Sequence, residues 1–149
     1  MTDQKIRVSK EFTFEAAHAL DGYDGKCKDI HGHSYHLTVT VLGIPKQEHK
    51  HPQCGMVIDF SDLKAVVKNN ILSKFDHILV LRNDSRFKGI EETNNRVRFV
   101  PYQPTCENMM MEIVEILKAE LPKSVSIHSV KLRETGTSYC EWYASENSI

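Results

Sequence analysis

Three histidines are spaced so that their imidazole rings can meet at one point. His31 and His33 lie two residues apart in an alternating segment, and residues i and i+2 of a strand point to the same side. His18 ends an earlier alternating segment, and a hairpin between the two segments would bring its ring to the same point. A single histidine in such a place is usually just a polar residue near a strand end. That explanation does not account for three histidines in register with a cysteine nearby. Three imidazoles with a fourth position open are typical of a catalytic zinc site, so the sequence predicts Zn²⁺ held by His18, His31 and His33.

The nearby cysteine is Cys27, which precedes His31 in a loop that contains glycines. Two roles are compatible with its position. As a fourth ligand it would close the metal site and make the site structural. As a thiolate that stays off the metal it would act as an acid and base in catalysis. The spacing does not distinguish the two roles.

Further carboxylates and an imidazole are candidates for chemistry. Asp76 and His77 stand side by side at a predicted helix end, where irregular backbone would let both reach one substrate. Glu134 continues the register of the apolar residues in its strand. A buried carboxylate needs a cationic partner or a ligand with two adjacent N–H donors. Glu107 is explained by the first turn of a helix, where the helix dipole favours a negative charge.

The elements that must position these residues follow from hydrophobic periodicity. The predicted order is strands at 6–18, 31–41 and 56–60, a helix capped by Asp59 or Ser61, a short extended piece after Phe75, a helix from Thr105 to Leu121, and two closing strands, the second at 140–143. This order predicts an α+β fold with an antiparallel sheet covered on one face. The chain has 149 residues, 40% of them hydrophobic, so we expect one globular domain over 1–149.

Composition excludes several classes of partner. Lys and Arg number 19 against 20 Asp and Glu, which is not the charge pattern of a non-specific nucleic-acid binder or a polybasic membrane segment. The first residues lack an apolar signal region, and no apolar run approaches the ~20 residues of a membrane span. The four cysteines, Cys27, Cys54, Cys106 and Cys140, show no paired spacing. We therefore expect a cytoplasmic protein with free thiols and neither nucleic-acid nor membrane partners.

Two polar stretches have no clear chemistry. The loop that carries His49, His51 and Cys54 contains possible metal ligands, but a solvated hairpin loop is the favoured interpretation. Residues 82–103 are mostly polar and ambiguous. Their arginines and Lys88 would suit an entrance for phosphate groups, although a solvated surface is the simpler expectation.

Several segments together resemble the 6-pyruvoyl-tetrahydropterin synthase family. They are FTFEAAH, CKDIHGHSY, GMVIDF, DH, PTCEN and LRETGT, and they occur in the family's order between about Phe12 and Tyr143. Three residues separate Cys27 from the HGH segment, as in the branch that forms 6-carboxy-5,6,7,8-tetrahydropterin in the queuosine and 7-deazaguanine pathway. The animal-type 6-pyruvoyl enzymes usually have a longer gap. A folate-linked group has Glu in place of the cysteine.

The resemblance implies the tunnelling fold. In that fold a four-stranded antiparallel sheet carries two helices on one face, and subunits assemble into a barrel. The common assembly is a homohexamer, a trimer stacked on a trimer, with the pterin at a subunit interface.

The resemblance also implies a zinc-dependent lyase. It would convert 7,8-dihydroneopterin triphosphate to 6-carboxy-5,6,7,8-tetrahydropterin and release acetaldehyde and triphosphate. The alternatives are 6-pyruvoyl-tetrahydropterin synthesis, which eliminates triphosphate and keeps the side chain, and a non-catalytic zinc- or pterin-binding module. The implied roles are zinc ligation by His18, His31 and His33, proton transfer by Cys27, Asp76 and His77, and pterin binding by Glu134, Glu107 and Thr105.

Overall fold

A long antiparallel hairpin forms the centre of the fold. The computed structural model describes residues 3–147, in which β1 (Ile6–His18) pairs with β2 (His31–Gly43) over their whole length. Both strands alternate in burial as the sequence predicts. Phe14 and Tyr35 are buried on the same face, and their rings stack with centroids 5.0 Å apart. The two strands with alternating sequence are therefore confirmed, and so is their pairing.

The sheet has six strands, not the four that the resemblance implies. Its order is β4-β3-β1-β2-β5-β6, where the added strands are β3 (Ile78–Arg82), β4 (Val97–Val100), β5 (Ser126–Arg133) and β6 (Tyr139–Tyr143). Strands β1, β2, β5 and β6 are antiparallel neighbours, whereas β3 runs parallel to β1 and β4 parallel to β3. The consecutive apolar residues of β3 fit this arrangement, because a strand covered on both faces does not alternate.

The predicted strand at residues 56–60 is wrong. Residues 56–59 pair with no strand of the sheet, although Val57 and Ile58 are both buried in the core. The segment instead leads into α1 (Phe60–Val67), and the Asp59 side chain accepts a hydrogen bond of 2.8 Å from the Ser61 backbone N–H. Of the two residues predicted to cap this helix, Asp59 is therefore the cap.

Helical structure on one face of the sheet is confirmed. A π-helical stretch, Lys68–Leu72, continues α1 into the single turn α2 (Ser73–Phe75). The other helix is α3 (Cys106–Glu120), and a last turn, α4 (Ala144–Asn147), ends the described chain. The buried stripe of α3 is Cys106, Met109, Met110, Ile113, Val114 and Leu117. Within residues 3–147, none of the helices combines the length and the apolar character needed to cross a bilayer.

A second, smaller apolar cluster lies beside β3 and β4. Its buried members are Ala19, Leu79 and Leu81, and partly buried residues of the ambiguous polar stretch pack against them, among them Phe87 and Ile90. That stretch is thus a covering segment of the sheet that also contains β4. Its few apolar residues attach it to the fold, while its polar residues remain available for contacts elsewhere.

Candidate active site

The three predicted histidine ligands converge. Strand pairing places His18 directly opposite His31, and His33 follows two residues later on the same face. Ring centroids are 4.5 Å apart for His18 and His31, 4.9 Å for His31 and His33, and 5.2 Å for His18 and His33. One ligand atom from each ring lies within 4.8 Å of the other two. Within residues 3–147 this is the one such group that could hold a metal ion, and it does not include His49 or His51.

Backbone carbonyls determine which nitrogen of two rings carries the hydrogen. His18 Nδ1 lies 2.6 Å from the Pro104 carbonyl oxygen, and His31 Nδ1 lies 2.7 Å from the Asp29 carbonyl oxygen. A carbonyl only accepts hydrogen bonds, so each Nδ1–H must donate and each neutral ring keeps a lone pair on Nε2. These two Nε2 atoms are 2.9 Å apart. Two facing lone pairs at this distance repel each other unless a cation lies between them.

The site disfavours a proton as that cation. Burial lowers the pKa of His18 and of His33, and the opposing effect of the Glu134 carboxylate is smaller. Neutral imidazole is the form that binds metal ions. In addition, His33 Nε2 is buried and has no hydrogen-bond partner among the described residues. The donor set therefore fits a metal ion held by three nitrogen ligands, and three protein ligands are the number found in catalytic zinc sites.

Cys27 lies close along the chain but outside this ligand group. It is the middle residue of a single 3₁₀ turn, Lys26–Lys28, and it is half-buried. Its sulfur is not part of the group whose ligand atoms all lie within 4.8 Å of one another. Cys27 is therefore a neighbour of the histidine group along the chain and not a member of it.

The loop that carries Cys27 is held in place by the covering segment. Arg86 donates from its backbone N–H to Asp21 Oδ1 over 3.1 Å, and its guanidinium donates to the Lys28 carbonyl oxygen and approaches Asp29 Oδ1 at 3.6 Å. Gln103 Nε2 donates to the Asp21 carbonyl oxygen over 2.7 Å. Both ends of the loop are therefore fixed by residues of the polar stretch 82–103, for which the sequence alone indicates no function. No local pattern indicates these contacts, since they join residues 58 to 82 positions apart.

The predicted inward carboxylate of Glu134 lies beside the histidine cluster. Glu134 directly follows β5, and its Oε1 lies 3.7 Å from His33 Nε2. The buried Tyr35 hydroxyl donates to Glu134 Oε2 over 3.4 Å, and burial raises the pKa of Tyr35, so this hydroxyl remains a donor. No Lys or Arg forms an ion pair with Glu134 within the described chain. Of the two explanations for this carboxylate, the geometry therefore favours a ligand with N–H donors.

Thr105 and Glu107 stand at the start of α3. The Thr105 hydroxyl accepts a hydrogen bond of 3.1 Å from the Asn108 backbone N–H, so Thr105 is the N-cap of the helix. Glu107 lies exposed in the first turn. The capping role explains Thr105 without a ligand, while the Glu107 side chain remains accessible.

Asp76 and His77 are not brought to the histidine cluster. His77 Nδ1 lies 3.0 Å from Asp76 Oδ1, and the same oxygen accepts a bond of 3.0 Å from the Glu15 backbone N–H. Glu15 is exposed and alternates with Phe14 and Ala16, so it belongs to the opposite face of the sheet. The His77 side chain is 67% exposed. Within residues 3–147 neither Asp76 nor His77 hydrogen-bonds to one of the three clustered histidines.

A groove of about 410 Å³ runs along this side of the sheet. Its walls include His77 and also Glu15 and Ser34, which alternate along the hairpin with the residues on the face of the histidine cluster. Its other polar lining residues include Asn94 and Arg96. Arg96 is therefore the one arginine of the covering segment on this groove, whereas Arg98 pairs with Glu112.

Together the fold and the site define an α+β protein with a three-histidine centre at the end of a β-hairpin. Solved structures share this fold. An uncharacterised protein from Wolinella succinogenes has a TM-score of 0.74 at 21% identity, covering 95% of this chain and 99% of that one. The 6-pyruvoyl tetrahydropterin synthase of Caenorhabditis elegans has a TM-score of 0.69 at 22% identity, covering 96% and 98%.

Sequence comparison identifies the family. The model of the 6-pyruvoyl tetrahydropterin synthase family matches residues 7–145, and the chain belongs to this family. A 6-carboxy-5,6,7,8-tetrahydropterin synthase from Haemophilus influenzae is 39% identical over 143 residues, which cover 92% of this chain and 98% of the relative. One from Synechocystis is 34% identical over 138 residues, covering 92% of each chain. The resemblance found in the motifs is confirmed, and so is the prediction that the chain is an enzyme.

The metal centre can be tested with two histidines of one strand. We expect the purified protein to hold about one divalent ion per chain, and His31→Ala to lower this content by at least roughly tenfold because one of three ligands is lost. His36→Ala is the matched control, since His36 is exposed and lies on the opposite face of β2. Elemental analysis after gel filtration measures the content. Equal metal content in both variants would contradict the assignment.

Proposed function

We propose that this chain is a zinc-dependent lyase that converts 7,8-dihydroneopterin triphosphate to 6-carboxy-5,6,7,8-tetrahydropterin, with release of acetaldehyde and triphosphate. The observation that carries the proposal is the three-histidine centre with the Glu134 carboxylate 3.7 Å from one of its rings. Relatives at 39% and 34% identity bear the name of this activity. The reaction would belong to queuosine and 7-deazaguanine synthesis, and we expect it to take place in the cytoplasm.

The histidine centre would bind the side chain of the substrate, and Glu134 would bind its pterin ring. His18, His31 and His33 would hold Zn²⁺, which as a Lewis acid would acidify the side-chain hydroxyls and the neighbouring C–H of the pterin. The amino group and ring N–H of a pterin form an edge with two donors. Glu134 supplies two acceptor oxygens to such an edge, and the bond from Tyr35 fixes the orientation of its carboxylate. Glu107 and Thr105 would complete the ring site from the start of α3.

Proton transfer would use groups on both sides of the sheet. A Cys27 thiolate would take a proton from the side chain or return one, and His77 would act as its counterpart. Asp76 lies 3.0 Å from His77 Nδ1, a position in which it favours one tautomer of the ring. The loop contacts of Arg86 and Gln103 would keep Cys27 at a constant distance from the metal.

The separation of Asp76 and His77 from the cluster supports an active site shared between subunits. We propose that a neighbouring copy completes the site in a barrel made of two stacked trimers. Strands β4 and β6 end the sheet on its two sides, so each offers an edge to a strand of another copy. Small pterin molecules would be the other partners of the chain.

The reaction is tested by its carbon products. Purified protein loaded with Zn²⁺ and incubated with 7,8-dihydroneopterin triphosphate should release acetaldehyde and triphosphate in equal amounts, measured by aldehyde derivatisation and ion chromatography. Acetaldehyde requires cleavage of the side chain, which the pyruvoyl reaction does not perform. Triphosphate release without acetaldehyde would establish the pyruvoyl reaction instead, and binding without any turnover would establish a non-catalytic module.

Cys27→Ala separates a catalytic thiol from a structural ligand. We expect zinc content to remain unchanged and kcat to fall by ~10²–10⁴-fold, the usual contribution of a general acid or base. Cys54→Ala is the control, because Cys54 is exposed and lies in another loop. Elemental analysis and acetaldehyde release are measured on the same samples. Loss of zinc in Cys27→Ala would show that the sulfur is a ligand.

Glu134→Gln tests the pterin contact. The amide would present an NH₂ group where the pterin needs an acceptor, so we expect pterin affinity to fall by roughly 10–100-fold, as for the loss of a charged hydrogen bond. Zinc content should be unchanged. Glu141→Gln is the control, since Glu141 is exposed on β6. Isothermal titration with a pterin lacking the phosphates measures the affinity, and an unaltered value would leave Glu134 a structural role only.

A further inference from the structure

Two cysteines that the proposed reaction does not use lie in contact. Cys106 is the first residue of α3 and Cys140 is a residue of β6, and their Sγ atoms are 3.4 Å apart although 34 positions separate them in the chain. Cys106 is 8% exposed, whereas Cys140 is half-buried and therefore reached more easily from solvent. The Leu132 carbonyl oxygen lies 3.5 Å from the Cys106 sulfur. The start of α3 thus lies next to the strand pair β5 and β6, and this arrangement keeps the two thiols in contact.

The contact makes the two sulfurs chemically unequal. The side-chain interaction with Cys106 lowers the pKa of Cys140, against the opposing effects of burial and of the carboxylates of Glu107 and Glu134. The same interaction and burial raise the pKa of Cys106. Cys140 is thus the better nucleophile of the pair, and Cys106 is the neighbouring thiol that can react with an oxidised Cys140.

We propose that Cys106 and Cys140 are an oxidisable dithiol that forms a reversible disulfide with a hydroperoxide as the oxidant. The Cys140 sulfur attacks the peroxide, the O–O bond breaks, one oxygen leaves as the alcohol or water, and Cys140 becomes a sulfenic acid. The Cys106 sulfur then attacks the Cys140 sulfur, an S–S bond forms, and the second oxygen leaves as water. Two thiols are oxidised and one peroxide is reduced, so atoms and electrons balance.

The two sulfur atoms are already close to bonding distance. The S–S bond length of about 2.05 Å means that the sulfurs approach by roughly 1.4 Å from their present contact. The bond would link the start of α3, where Thr105 and Glu107 lie, to the strand pair β5 and β6. Glu134 directly follows β5. If the proposed function holds, these two segments are the walls of the pterin site. The disulfide itself does not depend on that function.

Peptide mapping tests the pair directly. The zinc-loaded protein is treated with one equivalent of hydrogen peroxide, alkylated with iodoacetamide and digested with trypsin without reduction. We expect a linked species that joins peptide 99–118 to peptide 134–149, about 2 Da lighter than their sum, as the main disulfide. Dithiothreitol should return both peptides as free thiols.

Single serine variants give the controls. Cys140→Ser should lose the linked species and leave Cys106 open to alkylation after unfolding, while Cys54→Ser and Cys27→Ser should keep it. Absence of the linked species in the wild-type protein, whether Cys140 remains a free thiol or is oxidised beyond the sulfenic state, would overturn the proposal. A main disulfide that contains Cys27 or Cys54 would overturn it as well.

Discussion

The register between β1 and β2 is the constraint on which both the core and the metal centre depend. The pairing that sets His18 opposite His31 also places Phe14 opposite Tyr35. A shift of one residue would move every side chain of a strand to the other face. The stacked rings of Phe14 and Tyr35 lie fully inside the core, so such a shift would expose them together with the other apolar residues of the strand. Burial of the core thus holds the three imidazoles in place without any contribution from a metal ion.

The hairpin alone does not complete the centre, because the carbonyl that orients His18 comes from another part of the chain. Pro104 lies 86 positions away, immediately before Thr105, the N-cap of α3. The residue before Pro104 is Gln103, whose side chain binds the loop that carries Cys27. The start of α3, the orientation of one metal ligand and the position of the candidate thiol are therefore parts of one connected structure. A substitution at this point would affect all three.

Local patterns allowed the prediction of the hairpin, both main helices and the histidine cluster. Alternation in β1 and β2 and the apolar stripe of α3 are properties of neighbouring residues, and three ligands on two paired strands follow from them. The short extended piece predicted after Phe75 is β3, but its parallel pairing with β1 was not predicted, nor was β4, because both depend on tertiary contacts. The contacts of Arg86 with the loop were missed for the same reason. The strand assigned to residues 56–60 was wrong because buried Val57 and Ile58 pack on the core without pairing.

The family resemblance assigned roles to residues that local patterns could not assign. The structure separates these residues into two groups. Glu134 lies beside the histidine cluster, with its Oε1 3.7 Å from His33 Nε2, which agrees with the pterin contact proposed for it. Asp76 accepts a hydrogen bond from the Glu15 backbone N–H, and His77 lines a groove with Glu15 and Ser34, residues that alternate with those on the cluster face. A motif match assigns roles to residues but contains no information on which copy of the chain supplies them. This is why a correct family assignment still left the arrangement of the proton-transfer groups open.

The backbone at His77 is strained. His77 has a φ of 60°, the one non-glycine residue with a positive φ among the described residues. A side chain in this conformation costs on the order of 1–3 kcal/mol, which a glycine or asparagine would reduce. Hydrogen bonds from the His77 N–H to the Glu15 carbonyl oxygen, 2.6 Å, and from the Glu15 N–H to Asp76 hold the strained turn in place. An imidazole at this strained and largely exposed position contributes little to the core, which agrees with the proton-transfer role proposed for it in the groove that it lines.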